Sequence, residues 1–127
     1  MQETQEAHRL LAAWAAVVRG LDEGYGWCAP EFGHDIWCRT RLARLWPVLP
    51  AEIRTAQKPL LDRIDEQFRA ATVPWPGREG ERGFGWWHRR VPRLLESEPG
   101  EVLDGGWPLG WEMMPFPKPD EVRVVVP

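Results

Sequence analysis

A chain of 127 residues that is 43% hydrophobic and 28% charged has a globular composition and enough length to bury a core without metal or disulfide staples. Its net charge of −3 argues against the broad basic face that sequence-independent nucleic-acid binding requires. No stretch approaches the roughly 18 consecutive apolar residues of a membrane span. The N-terminus, MQETQEAHRLLAAWAAVVRG, lacks the positive opening of a signal peptide, so a cytoplasmic address is expected, with Cys28 and Cys38 as reduced thiols. Nine tryptophans stand out, as do two lysines against fourteen arginines. The arginine bias follows GC-rich codon usage and points to a high-GC bacterium.

Residues 3–21 predict an amphipathic helix. Leu10, Trp14, Val17 and Leu21 recur at helical spacing, and Leu11 and Val18 widen the stripe. Thr4 is a candidate N-cap, with Gly20 or Gly24 as the stop. GYGWCAPEF is a turn-rich link, and a short helix can start after Pro30 because proline suits a first helical turn. A second amphipathic segment runs from about Asp35 to Leu45, with Ile36, Leu42 and Leu45 on one side, and Pro47 and Pro50 end it. Within it, Asp35 and Arg39 are spaced for an i,i+4 ion pair. The third helix lies in PAEIRTAQKPLLDRIDEQFRAAT, with a stripe of Ile53, Gln57, Leu60, Ile64 and Phe68 and with Leu61 beside it. Pro59 in mid-pattern strands the Thr55 carbonyl, which predicts a kink or two abutting helices.

After Thr72 the chain changes character. Proline and glycine break it throughout, residues 84–91 read as extended, and VRVVV near the end has strand character. The expected fold is therefore mainly α: residues 1–72 form a core of three or four helices within one domain, 1–127. Residues 73–127 form an extended Trp/Pro-rich segment wrapped around it, with room for one short β-hairpin pairing 84–91 with 122–126.

The run GFGWWHRRVPR, residues 83–93, has two readings. Aromatics interleaved with arginines can form a stacking platform for bases. Alternatively, the run closes the protein's own core. Adjacent Trp86 and Trp87 would face opposite sides of a strand, which favours the second reading. In that reading Arg89 and Arg90 meet carboxylates such as Asp65 or Asp35, and Asp35, Arg39, Asp65, Trp86, Trp87, Arg89 and Arg90 form a structural clasp. Charge supports it. Between 77 and 93 five arginines outnumber two glutamates, whereas seven acids outnumber two bases from 94 to 127.

Other candidates are thinner. Cys28, His34 and Cys38 supply three possible zinc ligands, but their spacing matches no tight knuckle, and no metal or other cofactor is expected. Ser97, in ESEPG, lacks the strand–turn–helix setting of a serine nucleophile. No glycine-rich phosphate loop precedes a helix. Asp62, Asp65 and Glu66 read as a solvated helix edge. In GGWPLGWEMMPFPKP, Trp107 and Trp111 sit on a Gly/Pro scaffold beside Met113, Met114 and Phe116, a composition suited to an adaptable binding surface.

Three stretches, HDIWCRTRL, LLDRIDEQFRAAT and WWHRRVPR, together resemble a group of small uncharacterised actinobacterial proteins, over roughly residues 10–93. The second is similar to their L-x-x-x-D-x-x-F-x-x-x-T helix end. The motifs are not catalytic, and His34 and Thr40 depart from the polar or acidic residues expected there. The resemblance implies that Asp65, Thr72 and the arginines of the Trp run belong to one unit. Size and style are similar to those of immunity partners of bacterial toxins. The leading expectation is thus a non-enzymatic, protein-binding inhibitor of a cognate toxin, acting through Trp107, Trp111, Glu98, Glu101 and Asp104. The alternatives are a nucleic-acid-associated regulator using Arg89, Arg90 and Arg93, and a metal-dependent enzyme at Cys28, His34 and Cys38.

Overall fold

The computed structural model describes residues 2–76, 85–101 and 105–126. The chain is mainly α. Four helices, α1 (Gln2–Leu21), α2 (Ala29–Asp35), α3 (Trp37–Leu45) and α4 (Ala51–Ala70), precede four three-residue strands, β1 (Thr72–Pro74), β2 (Arg90–Pro92), β3 (Leu94–Glu96) and β4 (Arg123–Val125). Two 3₁₀ turns, Trp46–Val48 and Trp86–Arg89, complete the elements. Among the described residues, no helix is long and apolar enough to cross a membrane.

The first helix buries most of the predicted stripe: Leu10, Leu11, Trp14, Val18 and Leu21 are interior, whereas Val17 is only half-buried. Thr4 lies inside the helix rather than capping it. Helix α1 packs against both α3 and α4. In α4 the buried line is Leu61, Ile64, Asp65 and Phe68, while Leu60, expected in the stripe, is exposed. Pro59 lies within α4 without dividing it. Both Pro59 and Thr55 are on the exposed side, where water can satisfy the carbonyl that proline leaves without its donor.

The second half of the chain is stitched on by one extended run. β2 pairs antiparallel with β1, in the register Thr72↔Pro92, Val73↔Val91 and Pro74↔Arg90. Immediately afterwards β3 pairs in parallel with β4. On its other side β3 brackets Tyr25, whose N–H donates to the Leu94 carbonyl and whose carbonyl accepts from Glu96 N–H, both at 2.9 Å. The expected partnership of 84–91 with 122–126 is therefore corrected. The antiparallel partner of 90–92 follows α4 directly, and 123–125 joins the next stretch. Trp86 and Trp87 are not in a strand either. Gly85 turns the chain at φ +113°, and the Trp87 ring folds back so closely that a β-carbon on Gly85 would sit 2.5 Å from it. Only glycine tolerates both conditions.

The centre of the bundle is polar. Asp65 on α4 accepts from the Arg39 guanidinium on α3 through two bonds, Nε to Oδ1 at 2.9 Å and Nη2 to Oδ2 at 3.0 Å. It also accepts from the Trp14 indole N–H on α1 at 3.0 Å. Arg39 and Asp65 are 8% and 7% exposed. A fork-to-carboxylate pair of this kind is directional and strong, and burial makes each partner depend on the other. Removing one charge alone, by Asp65→Ala or Arg39→Ala, is expected to cost about 3–5 kcal/mol in denaturant unfolding. The double variant Arg39→Met/Asp65→Leu should cost far less than the sum of the two single losses, because neither charge is then stranded.

Candidate functional site

The tryptophan run closes the core. The Trp87 ring lies 4.2 Å from the Arg39 guanidinium, capping the face of the ion pair with a cation–π contact, an interaction worth about 0.5–2 kcal/mol. Trp86 is half-buried, packs edgewise on Phe68 at 5.8 Å and is covered by the Arg69 guanidinium at 3.9 Å. The geometry goes against the stacking platform, the less favoured of the two readings: Trp87 is buried and one face of Trp86 is covered by Arg69. Asp65, Arg39, Trp86 and Trp87 come together, as the clasp reading expected, but the cation against Asp65 is Arg39 and not a residue of the run.

Asp35 lies elsewhere. It accepts from the Tyr25 hydroxyl at 2.7 Å and makes no pair with Arg39, whose bonds are directed to Asp65. Among the described residues Arg90 meets no carboxylate. Its Nε donates to Thr72 Oγ1 at 2.7 Å, and its Nη2 donates to the Arg69 and Thr72 carbonyls at 3.2 and 3.1 Å. It thereby caps the C-terminal end of α4, where unpaired carbonyls and the helix dipole favour a cation. Burial, followed by the nearby charges of Arg69 and Arg93, holds its pKa below the ordinary value. Arg89 contributes its carbonyl, which accepts from Trp75 N–H.

A short relay continues from the clasp. The Trp87 indole N–H donates to Thr40 Oγ1 at 2.8 Å, and Thr40 Oγ1 lies 2.6 Å from His88 Nε2. The indole engages one of the two lone pairs of the hydroxyl, which leaves Thr40 able either to donate to Nε2 or to accept from it, according to the imidazole tautomer. Burial lowers the His88 pKa, which favours the neutral ring.

The surface expected from the C-terminal third is corrected in part. Trp107 and Trp111 are 4% and 2% exposed, stacked at 6.0 Å. Their indole N–H groups are spent on the carbonyls of Phe116 (2.8 Å) and Trp27 (3.0 Å). Tryptophan buries well when its one donor finds a partner, and here both do. Glu98 is exposed and Glu101 half-exposed, whereas Asp104 lies outside the described residues.

In place of the buried indoles, three other apolar side chains emerge. Trp27 is 70% exposed, Leu109 56% and Met113 53%. The segments carrying them are joined. Ala29 N–H donates to the Gly110 carbonyl at 2.9 Å, the Trp111 indole bonds the Trp27 carbonyl, and a β-carbon on Gly110 would meet Cys28 at 3.0 Å. Along the sequence, the two segments that meet at this junction carry charge of one sign. There is no lysine or arginine from residue 20 to 38 or from 94 to 117, while Asp22, Glu23, Glu31, Asp35, Glu96, Glu98, Glu101 and Glu112 fall within those spans. Sequence reading passed over Trp27 as part of a link. The charge gap flanking it was the available signal.

Cys28 and Cys38 are free thiols. Cys38 donates to the Asp35 carbonyl at 3.4 Å, and burial pushes its pKa up to about 11. Among the described residues no three His, Cys, Asp or Glu side chains are placed to hold a metal ion, so Cys28, His34 and Cys38 do not assemble into a ligand set.

No family model matches the chain. No curated protein and no solved structure matches it either.

Two measurements follow from this geometry. Native His88 binds a proton less readily than it does in the unfolded chain, whose ordinary value is 6.5. Stability should therefore be flat above that value and fall as pH drops through it, since the unfolded state then takes the proton first. Melting temperature followed from pH 7.5 to about 5.5 should decline in the parent and decline less in His88→Gln. Thiol labelling under native conditions should modify exposed Cys28 first, with Cys38 reacting only as the protein opens.

Proposed function

We propose that this chain is a non-catalytic protein-binding domain that inhibits a bacterial toxin as its immunity partner, using the junction of residues 26–29 with 109–113 as its contact surface. The observation that carries the reading is Trp27, an indole left 70% exposed in a protein that buries Trp14, Trp87, Trp107 and Trp111. An exposed tryptophan with leucine and methionine beside it is the composition of an interface anchor. The acid-only flanks supply a rim that steers toward a basic partner. A toxin with a cationic, phosphate-binding cleft has the complementary charge, and acidic side chains can occupy the places of its phosphates. Glu98 and Glu101 remain candidates for that rim, and Asp104 stays in the proposal on sequence alone. Trp107 and Trp111 act beneath the surface by holding it in shape.

The test pairs the chain with the product of an adjacent toxin-bearing reading frame, with affinity measured by calorimetry and toxin activity assayed alongside. Trp27→Ala should weaken the complex by about 2 kcal/mol or more, roughly 30-fold in Kd, without lowering the melting temperature. Raising salt should slow association more than it speeds dissociation. Unchanged affinity in Trp27→Ala, or a toxin that stays fully active in the complex, would overturn the reading.

A further inference from the structure

Beside Trp27 the surface is hollow. A pocket of about 240 Å³ opens between the C-terminal turns of α1, the loop that follows it and the last residue of α2, with Gly20, Gly24 and Gly26 among its walls and Tyr25, Trp27 and Asp35 lining it. A β-carbon on Gly20 would touch nothing within 4 Å, whereas the Glu96 side chain fills the space beside Gly24 and Gly26. Asp35 is half-buried. Its Oδ2 accepts from the Tyr25 hydroxyl, and its Oδ1 meets no partner among the described residues. A second carboxylate stands close by, with Glu96 Oε2 lying 3.1 Å from the position of a Gly26 β-carbon. Neither acid is in an ion pair among the described residues. Burial, and then the hydrogen bond to and charge of Asp35, raise the Tyr25 hydroxyl pKa, with Glu31 adding to the effect. The Asp35 carboxylate in the lining gives the pocket its negative charge.

We infer that this pocket receives an arginine side chain of the binding partner, its guanidinium paired with the Asp35 carboxylate and laid against the Trp27 indole. A planar, weakly hydrated cation suits the combination better than an ammonium does. It can bond a carboxylate through a fork and stack on an aromatic face at the same time. The small-residue walls admit a long, thin side chain, and the absence of any lysine or arginine from residue 20 to 38 leaves the cation to come from outside that stretch. The inference rests on the reading of the Trp27 junction as a partner surface and names the group that surface recognises.

The experiment needs no partner. The full chain, labelled with ¹⁵N, is titrated with N-acetyl-arginine amide while the Trp27 indole N–H and the Gly24 and Gly26 amides are followed by NMR. Saturable shifts are expected at those positions. The isosteric but neutral N-acetyl-citrulline amide should produce none, and N-acetyl-lysine amide should bind at least several-fold more weakly. Asp35→Asn retains an oxygen to accept the Tyr25 hydroxyl and should abolish the arginine shifts. Gly20→Leu, placed on a helix where a side chain meets open space, should block entry with the melting temperature maintained or raised. Equal shifts with citrulline, equal binding of lysine, or full arginine binding in Asp35→Asn or Gly20→Leu would each overturn the assignment. A toxin complex unaffected by Asp35→Asn but weakened by Trp27→Ala would remove the pocket and leave the surface. Arginine binding without any toxin complex would do the reverse.

Discussion

One carboxylate organises this molecule. Asp65 receives three hydrogen bonds from two other helices, two from Arg39 on α3 and one from Trp14 on α1, so the three long elements are oriented by a single side chain. Apolar contacts alone would hold α1, α3 and α4 together with some freedom to slide and rotate. A buried carboxylate bound in a fork does not allow that, because any slip leaves a charge unpaired in the interior. The ion pair is then roofed by Trp87, which ties the second half of the chain to the same point. Gly85 lets the turn fold tightly enough for the ring to reach it.

The sequence carried more of this than periodicity alone conveys. Asp65 falls between Leu61 and Phe68 at helical spacing, and Arg39 falls three residues from both Ile36 and Leu42. Each is a charge embedded in an apolar stripe, and two such charges of opposite sign are natural partners. The helices were legible because helical spacing exposes the buried face. Closure by the tryptophan run was inferred from strand alternation, although Trp86 and Trp87 lie in a 3₁₀ turn. The arginines next to the tryptophans were misleading neighbours. Arg90 is spent on helix-end carbonyls, a role set by where β2 docks and invisible in linear order.

The C-terminal third was less legible because it has no period. Proline and glycine dictate turns without saying which side faces water. Trp107 and Trp111 could be placed only by knowing that the carbonyls of Phe116 and Trp27 stand ready for their N–H groups. Trp27 has nearly the same sequence surroundings, glycine before it and proline shortly after, yet it points outward. Trp107 bonds a carbonyl 9 residues on, but Trp111 bonds one 84 residues away, which no local pattern encodes.

The bracketing of Tyr25 by β3 bears on how quickly and how faithfully a partner could be recognised. Main-chain bonds clamp this loop at Tyr25 and again at Ala29, so the backbone around Trp27 is shaped before any encounter. Little ordering remains to be done on contact, and rigid surfaces of this kind lose less entropy on association. On the proposed reading of this junction as a partner surface, selectivity would follow from a loop shaped in advance, and a mismatched surface would be shed rather than accommodated.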